Sequence, residues 1–106
     1  MDAEFLLVLC TCPDDGSATA LSTALVEEQL AACVNRIAGV RSRYRWQGQV
    51  ESADEVLLMI KTRAGLFAAL QETICKLHPA ENPEIIGIDI AAGASAYLDW
   101  IRSSVK

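Results

Sequence analysis

The sequence predicts an α+β sandwich, in which helices pack on one face of a single antiparallel sheet. Short apolar runs rich in β-formers alternate with stretches whose apolar residues recur at helical spacing, in the order βαββαβ plus a last helix. Two long strands in the middle meet at a glycine turn, which predicts an extended hairpin between the second and third strands. Two β-α-β halves joined by a hairpin make a ferredoxin-like sandwich.

The first strand is predicted over Phe5 to Cys12, where apolar residues run without interruption, as in a strand buried on both faces. Cys10 and Cys12 lie two residues apart and therefore share one face near the end of this strand. A proline, two aspartates and a glycine follow, which is the composition of a turn. Ser17 is then expected to cap a helix that runs from about Ala18 to Ala32.

The second strand is predicted to start at Cys33 and to bend or bulge at Ala38-Gly39. From Val40 to Trp46 the residues alternate, with aromatic residues on one face and three arginines on the other. Gln47-Gly48 makes the turn, because glycine is free to adopt a positive φ. Val50 to Ile60 then returns as the partner strand and ends in an apolar run.

The second helix is expected to be capped by Thr62, to run from Phe67, and to stop at His78, because the next residue is a proline. A second proline four residues later directs the chain into a fourth strand, Ile85 to Ile90. A last helix, with its own apolar side, is predicted from about Ser95. The single histidine of the chain therefore lies at a helix-to-strand joint.

This topology gathers ionisable residues at one edge of the sheet. If the first strand runs upward, the second helix also ends at the top, and the hairpin tip points the same way. The residues expected at this upper edge are Cys10, Cys12, Asp14, Asp15, His78 and Glu81. Thiolate and imidazole suit copper or zinc. We therefore expect a metal site formed by Cys10 and His78, with Cys12 or Glu81 completing the ligand shell.

Each of these residues also has a structural interpretation. Cys10 is explained equally well as a small buried hydrophobe, and His78 as a helix-end residue that interacts with the helix dipole. Asp14 and Asp15 suit a turn and the start of a helix. No nucleophile and orienting group accompany the single histidine, so we do not expect an enzyme. The acidic segment after the first strand is also wrong for an acylphosphatase-like phosphate loop.

The amino-acid composition indicates the general class of protein. With 106 residues, of which 52% are hydrophobic and 22% charged, the chain is expected to form one globular domain over residues 1–106. A net charge of −5 argues against nucleic-acid and anionic-membrane partners, and no run of ~18 apolar residues could span a membrane. Asp2 and Glu4 precede the first strand without a basic leader. We expect a cytoplasmic protein whose four cysteines are thiols.

Several stretches resemble a known family: LVEEQLAACVN at 25–35, YRWQG at 44–48, LMIKTR at 58–63, and LHP at 77–79 with PEII at 83–86. Together they are similar, in order and over nearly the whole chain, to the CutA family of divalent-cation tolerance proteins. The resemblance implies a ferredoxin-like homotrimer, cytoplasmic in bacteria, that is associated with copper and other divalent metals. It places the metal-site cysteine at Cys10 and the histidine at His78. Leu77 stands where one family member has a second histidine ligand, and Ala80 where an aromatic residue is usual.

The long hairpin predicts contacts between copies of the chain, and the resemblance implies that the number of copies is three. It should overhang the helices and expose Tyr44 and Trp46, apolar surface that a monomer would not leave in water. A closed ring of three subunits would cover this surface and the unpaired strand edges. Divalent metal ions are the other expected partners, with no obligatory cofactor and with copper or zinc as the candidate metals.

Two alternative functions remain open. One is a trimeric small-ligand signalling protein, by analogy with the PII-type nitrogen regulators, in which Arg41, Arg43 and Arg45 supply phosphate contacts between subunits. The other is a structural trimer that acts as an assembly hub. Nucleotide titration separates the first alternative from the metal-binding hypothesis.

Overall fold

The computed structural model describes residues 3–106, which form a four-stranded antiparallel sheet and three α-helices. The elements are β1 (Phe5–Cys12), α1 (Asp15–Glu27), β2 (Cys33–Trp46), β3 (Gln49–Arg63), α2 (Phe67–Leu77), β4 (Ile86–Asp89) and α3 (Ser95–Ser104). The strand order β2-β3-β1-β4, with every neighbouring pair antiparallel, confirms the predicted ferredoxin-like α+β fold. Asp2, which entered the prediction about the N-terminus, lies outside the described residues.

The hairpin of β2 and β3 extends well beyond the neighbouring strand. β1 pairs with β3 only as far as Cys12, opposite Val56, whereas β2 and β3 remain paired out to Trp46 and Gln49. The predicted bend is a bulge at Gly39, whose φ of +80° suits glycine because it has no Cβ. The two turn residues also have positive φ, 50° and 79°, as a tight hairpin requires.

Helix α1 begins and ends earlier than the sequence predicted. Asp14 is the N-cap rather than Ser17, because its carboxylate accepts the backbone N–H of Ser17 at 2.8 Å. The helix ends at Glu27 rather than near Ala32. Gln29 adopts a left-handed φ of 58°, and the two backbone amides after it bond back into the helix.

Strand β3 continues through the residue that was predicted to cap the second helix. Thr62 is buried in β3, and its hydroxyl donates to the carbonyl of Leu30 at 2.6 Å, so the predicted cap was wrong. Helix α2 starts at Phe67 after a short 3₁₀ turn, and it ends where His78 becomes extended, as the following proline predicts. Strand β4 is four residues long rather than the predicted six.

The two faces of the sheet have different surroundings. The face that carries Cys10 and Cys12 packs against α1 and α2 in the hydrophobic core. On the opposite face α3 covers one end, where the Arg102 guanidinium lies 5.2 Å from the centre of the Phe5 ring. Farther along, this face is only half covered, and Ile86 is 51% exposed. Within residues 3–106, no helix has the length and apolar character needed to cross a membrane.

Candidate metal site and charged cleft

Three soft donor groups meet beneath the upper edge of the sheet. Cys10 and Cys12 lie on the same face of β1, as their spacing predicts, and both are fully buried. His78 follows α2 and is only 9% exposed. The two sulfur atoms and one imidazole nitrogen all lie within 4.8 Å of one another. The structure therefore brings together three of the four residues that were predicted as metal ligands.

Backbone groups hold the imidazole of His78 on both sides. Its Nδ1 accepts the backbone N–H of Ala80 at 3.0 Å, so this nitrogen carries no proton. Its Nε2 lies 2.7 Å from the carbonyl oxygen of Thr11, which can only accept, so Nε2 is the donor. The ring is therefore neutral, with its proton on Nε2. It ties the end of α2 to the end of β1.

The two thiols interact in a way that separates their acidities. The neighbouring Cys12 sulfur raises the pKa of Cys10 far above its ordinary value, and burial raises it further. The same neighbour effect lowers the pKa of Cys12, assisted by the nearby Ser17 at the start of α1. Cys12 is therefore the first of the pair to become a thiolate, which is the form that binds metal.

The donor set fits a soft metal ion. Thiolate and imidazole ligands suit copper and zinc, whereas calcium and magnesium take oxygen ligands. With Zn–S bonds of about 2.3 Å, neighbouring donors in a tetrahedral site lie ~3.7 Å apart. The donors here, spread over up to 4.8 Å, have to approach by roughly 1 Å to close on an ion. Both ring nitrogens of His78 take part in hydrogen bonds, so the nitrogen that binds the ion has to give up its hydrogen bond.

The other residues predicted at this edge lie outside the three-donor group. Glu81 is exposed on the loop that follows His78. Asp14 caps α1 and Asp15 begins it, so both serve the helix start, as their structural interpretation proposed. Cys75, on α2, is exposed.

A cleft of about 830 Å³ opens above the buried donors, between the hairpin and the loop that joins α2 to β4. It is lined by Thr11, Ser42, Arg43, Tyr44, Arg45, Trp46, Glu55, His78, Ala80, Glu81, Asn82, Pro83 and Glu84. Thr11 and His78 border both the cleft and the thiols. The cleft therefore borders the buried donor group at His78.

The aromatic residues predicted at a trimer interface lie on the overhanging part of β2. Tyr44 is 45% exposed and Trp46 is 37% exposed, and both line the cleft. Nothing in residues 3–106 covers the remainder of these side chains. They are the largest apolar groups on the overhang.

Sequence reasoning missed the groups that position the histidine. They are the carbonyl of Thr11 and the N–H of Ala80, and both belong to the backbone. Backbone groups carry no residue-type signal, so only the folded arrangement reveals them. The departure from the family pattern at Ala80 leaves this hydrogen bond in place, because it does not use the side chain.

The fold and this site define a small α+β protein with a buried thiol–imidazole group beneath an open cleft. Residues 6–104 match the family described as CutA1 divalent ion tolerance protein. The chain belongs to that family, which confirms the resemblance found in the sequence.

Relatives and a solved structure agree with this assignment. The divalent-cation tolerance protein CutA of Thermus thermophilus is 47% identical over 98 residues, which cover 92% of this chain and 95% of that protein. The chloroplastic protein CutA of Arabidopsis thaliana is 39% identical over 101 residues, covering 95% of this chain and 56% of that protein. The crystal structure of CutA from Xylella fastidiosa superimposes with a TM-score of 0.95 at 41% identity, over 98% of this chain and 100% of that chain.

Proposed function

We propose that this protein binds copper or zinc through Cys10, Cys12 and His78 and acts in the response to these ions. The observation that carries the proposal is the convergence of three soft, buried donors within 4.8 Å. Cu(I) is satisfied by few soft ligands, so these three suffice for it. Zinc takes four ligands, and Glu81 is the proposed fourth, after movement of its loop. The family description, divalent ion tolerance, supports metal ions as the ligands.

Titration of the reduced protein with Cu(I) and with Zn²⁺ tests this proposal. We expect the double variant Cys10→Ser, His78→Ala to bind both metals more weakly by over about 100-fold, because two of the donors are gone. Cys75→Ser is the matched control, since this thiol is exposed on α2. Glu81→Gln is expected to weaken zinc binding alone. Unchanged metal affinity in the double variant contradicts the proposal.

We further propose that the protein is a homotrimer in which the overhanging hairpin contacts a neighbouring copy. The overhang exposes Tyr44, Trp46 and Val50, the last by 62%. Among residues 3–106, no strand pairs with the part of β3 from Gln49 to Glu55 on its β1 side, so the backbone groups there are available to another chain. A closed ring covers such edges in every copy.

Sedimentation of the wild-type protein at micromolar concentration tests the trimer. We expect the wild-type protein to be a stable trimer. The Trp46→Ala trimer should dissociate at a higher protein concentration than the wild-type trimer, because a buried aromatic anchor typically contributes about 2 kcal/mol or more to an interface. Val26→Ala, an exposed apolar residue on α1, is the matched control. A monomeric wild-type protein contradicts the assignment.

We propose that residues 1–106 act as one CutA-type domain, in the cytoplasm, by binding rather than by catalysis. Both nitrogens of His78 are engaged by backbone groups, which leaves neither free as a general base. The four free cysteines suit a reducing compartment. The name of the Arabidopsis relative shows that location varies among relatives. Alkylation of the thiols tests the location. Cells are denatured in the presence of the alkylating reagent, and we expect all four cysteines to be modified if the protein resides in the reducing cytoplasm.

The cleft favours a second candidate function, the binding of a small ligand as in the PII-type alternative. Its volume, about 830 Å³, lies within the range of roughly 300–1,000 Å³ that is usual for ligand pockets. Arg43 and Arg45 line it, whereas Arg41 does not. Calorimetric titration with nucleotides tests this function, and a protein that binds none of them contradicts it.

A further inference from the structure

The two thiols at the end of β1 lie close together. Cys10 and Cys12 are fully buried on one face of the strand. Their sulfur atoms are within 4.8 Å of each other, and both cysteines are free thiols. Two thiols at this separation are possible reactants of a disulfide, in which the sulfur atoms are about 2.05 Å apart.

The backbone spacing permits this disulfide, but with strain. Residues two apart in a strand have Cα atoms about 6.7 Å apart, and disulfides span roughly 4.4–6.8 Å between their Cα atoms. A bond between Cys10 and Cys12 lies at the upper limit of this range, so it requires the strand to bend. Strained disulfides are more easily reduced than relaxed ones and are typical of regulatory bridges.

The end of β1 is the part of the strand that is best able to bend. Among residues 3–106, β4 pairs with β1 only from Leu6 to Leu9, so the segment from Cys10 to Cys12 pairs with β3 alone. Cys12 is the last residue of the strand. The Thr11 carbonyl between the two cysteines accepts a hydrogen bond from the His78 side chain. The segment is therefore held by fewer strand contacts than the middle of β1.

Burial limits the oxidants that can reach the pair. Exchange with a disulfide such as oxidised glutathione requires a large molecule to contact a sulfur atom, and both sulfur atoms are buried. Hydrogen peroxide is uncharged and little larger than water, so a local opening of the strand end admits it. A second thiol beside the first also converts a sulfenic acid to a disulfide before further oxidation.

We propose that Cys10 and Cys12 are a redox-active dithiol that hydrogen peroxide converts to an intrachain disulfide. One sulfur, as the thiolate, attacks a peroxide oxygen and becomes a sulfenic acid; the O–O bond breaks, and the departing hydroxide takes up the proton of that thiol to form water. The second sulfur attacks the sulfur of the sulfenic acid, which forms the S–S bond and releases the second water. The two thiols together lose two electrons and two protons, and one peroxide becomes two water molecules.

The disulfide acts as a switch on metal binding. Metal ions bind the thiolate form of cysteine, and a disulfide provides no thiolate. Oxidation therefore removes two of the three donors of the metal site. This consequence rests on the proposed metal-binding function, whereas formation of the disulfide does not.

Peroxide treatment of the reduced, metal-free protein tests the disulfide. The remaining thiols are alkylated after denaturation, and the chain is cleaved after glutamates, which yields a peptide of residues 5–27 with Cys10 and Cys12 as its only cysteines. We expect this peptide to carry no alkyl group and to be about 2 Da lighter than its reduced form, as loss of two hydrogens requires. Dithiothreitol should reverse the change. The same peptide from Cys12→Ser should show no such loss.

Anaerobic titration with Cu(I) tests the switch. We expect the oxidised protein to bind Cu(I) more weakly than the reduced protein by over about 100-fold, because two ligands are lost. The control is Cys12→Ser, which should show no comparable loss of affinity after peroxide treatment because it cannot form the bridge.

The possible failures separate the two proposals. Alkylation of both cysteines after peroxide treatment, a sulfinic acid in place of the disulfide, or a bridge between two copies overturns the dithiol and leaves the metal-binding function standing. A disulfide that forms as expected but leaves the Cu(I) affinity unchanged overturns the metal site and leaves the dithiol standing.

Discussion

His78 donates its Nε2 proton to the carbonyl oxygen of Thr11 at 2.7 Å, and this bond joins the end of α2 to the end of β1. The contact places the imidazole beside the two thiols of β1. It also restricts metal binding by the ring, because a nitrogen that binds a metal cannot at the same time take part in a hydrogen bond. Metal binding and the position of the helix-to-strand joint are therefore linked.

We predict that metal binding breaks one of the two hydrogen bonds of His78. Loss of the Nδ1 bond would free the amide of Ala80, and loss of the Nε2 bond would free the carbonyl of Thr11. Nuclear magnetic resonance of ¹⁵N-histidine-labelled protein measures both nitrogens directly, with and without Cu(I). We expect the signal of one ring nitrogen to shift. Two unshifted nitrogens in metal-loaded protein would exclude His78 as a ligand.

Replacement of Thr62 by valine should destabilise the fold. The substitution keeps the side-chain volume but leaves the buried carbonyl of Leu30 without its donor. We expect the free energy of unfolding to fall by about 1–3 kcal/mol, measured in urea. The same replacement at exposed Thr23, on α1, should change it by less than about 0.5 kcal/mol. Equal effects at the two positions would show that the buried hydrogen bond contributes nothing.

Replacement of the helix cap should also destabilise the fold. Asp14→Ala removes the acceptor of the Ser17 amide, and we expect a loss of about 1 kcal/mol in the free energy of unfolding. Asp14→Asn keeps a side-chain oxygen and should lose clearly less. Urea denaturation of the two variants side by side measures the difference. A loss of the same size in both would contradict the capping role.

The fold and the convergence at its upper edge followed from the sequence, because connectivity alone brings the end of β1 to the end of α2. The position of the first cap did not, because Asp14 and Ser17 are both good capping residues, three positions apart. The role of Thr62 also escaped prediction, since its partner, the Leu30 carbonyl, lies 32 residues away in sequence. In each case the local sequence permits more than one arrangement, and a hydrogen bond in the folded protein determines which one forms.

Stability should depend on pH through the ion pair that anchors α3. Hydrogen bonds from Arg102, at 2.8 and 3.0 Å, lower the pKa of Glu4 below its ordinary value of 4.5. A carboxylate with a lowered pKa stabilises the folded state fully above its unfolded pKa, and this contribution disappears as the pH falls through the folded value. We expect the melting temperature of Glu4→Gln to lie below that of wild type at pH 7.

The melting temperatures of wild type and Glu4→Gln at acid pH test this explanation. As the pH falls below 4.5, Glu4 takes up its proton in both states, and the difference in melting temperature should narrow. A difference that stays constant with pH would show that the ion pair is not its source.

The joint binding of one ion by two thiolates and one imidazole is tested most directly by X-ray absorption at the copper edge. We predict two sulfur neighbours and one nitrogen neighbour in reduced, Cu(I)-loaded wild-type protein. Cys12→Ser should retain one sulfur, and Cys75→Ser should match wild type. A shell of nitrogen and oxygen alone, or a sulfur count that Cys12→Ser leaves unchanged, would contradict the site.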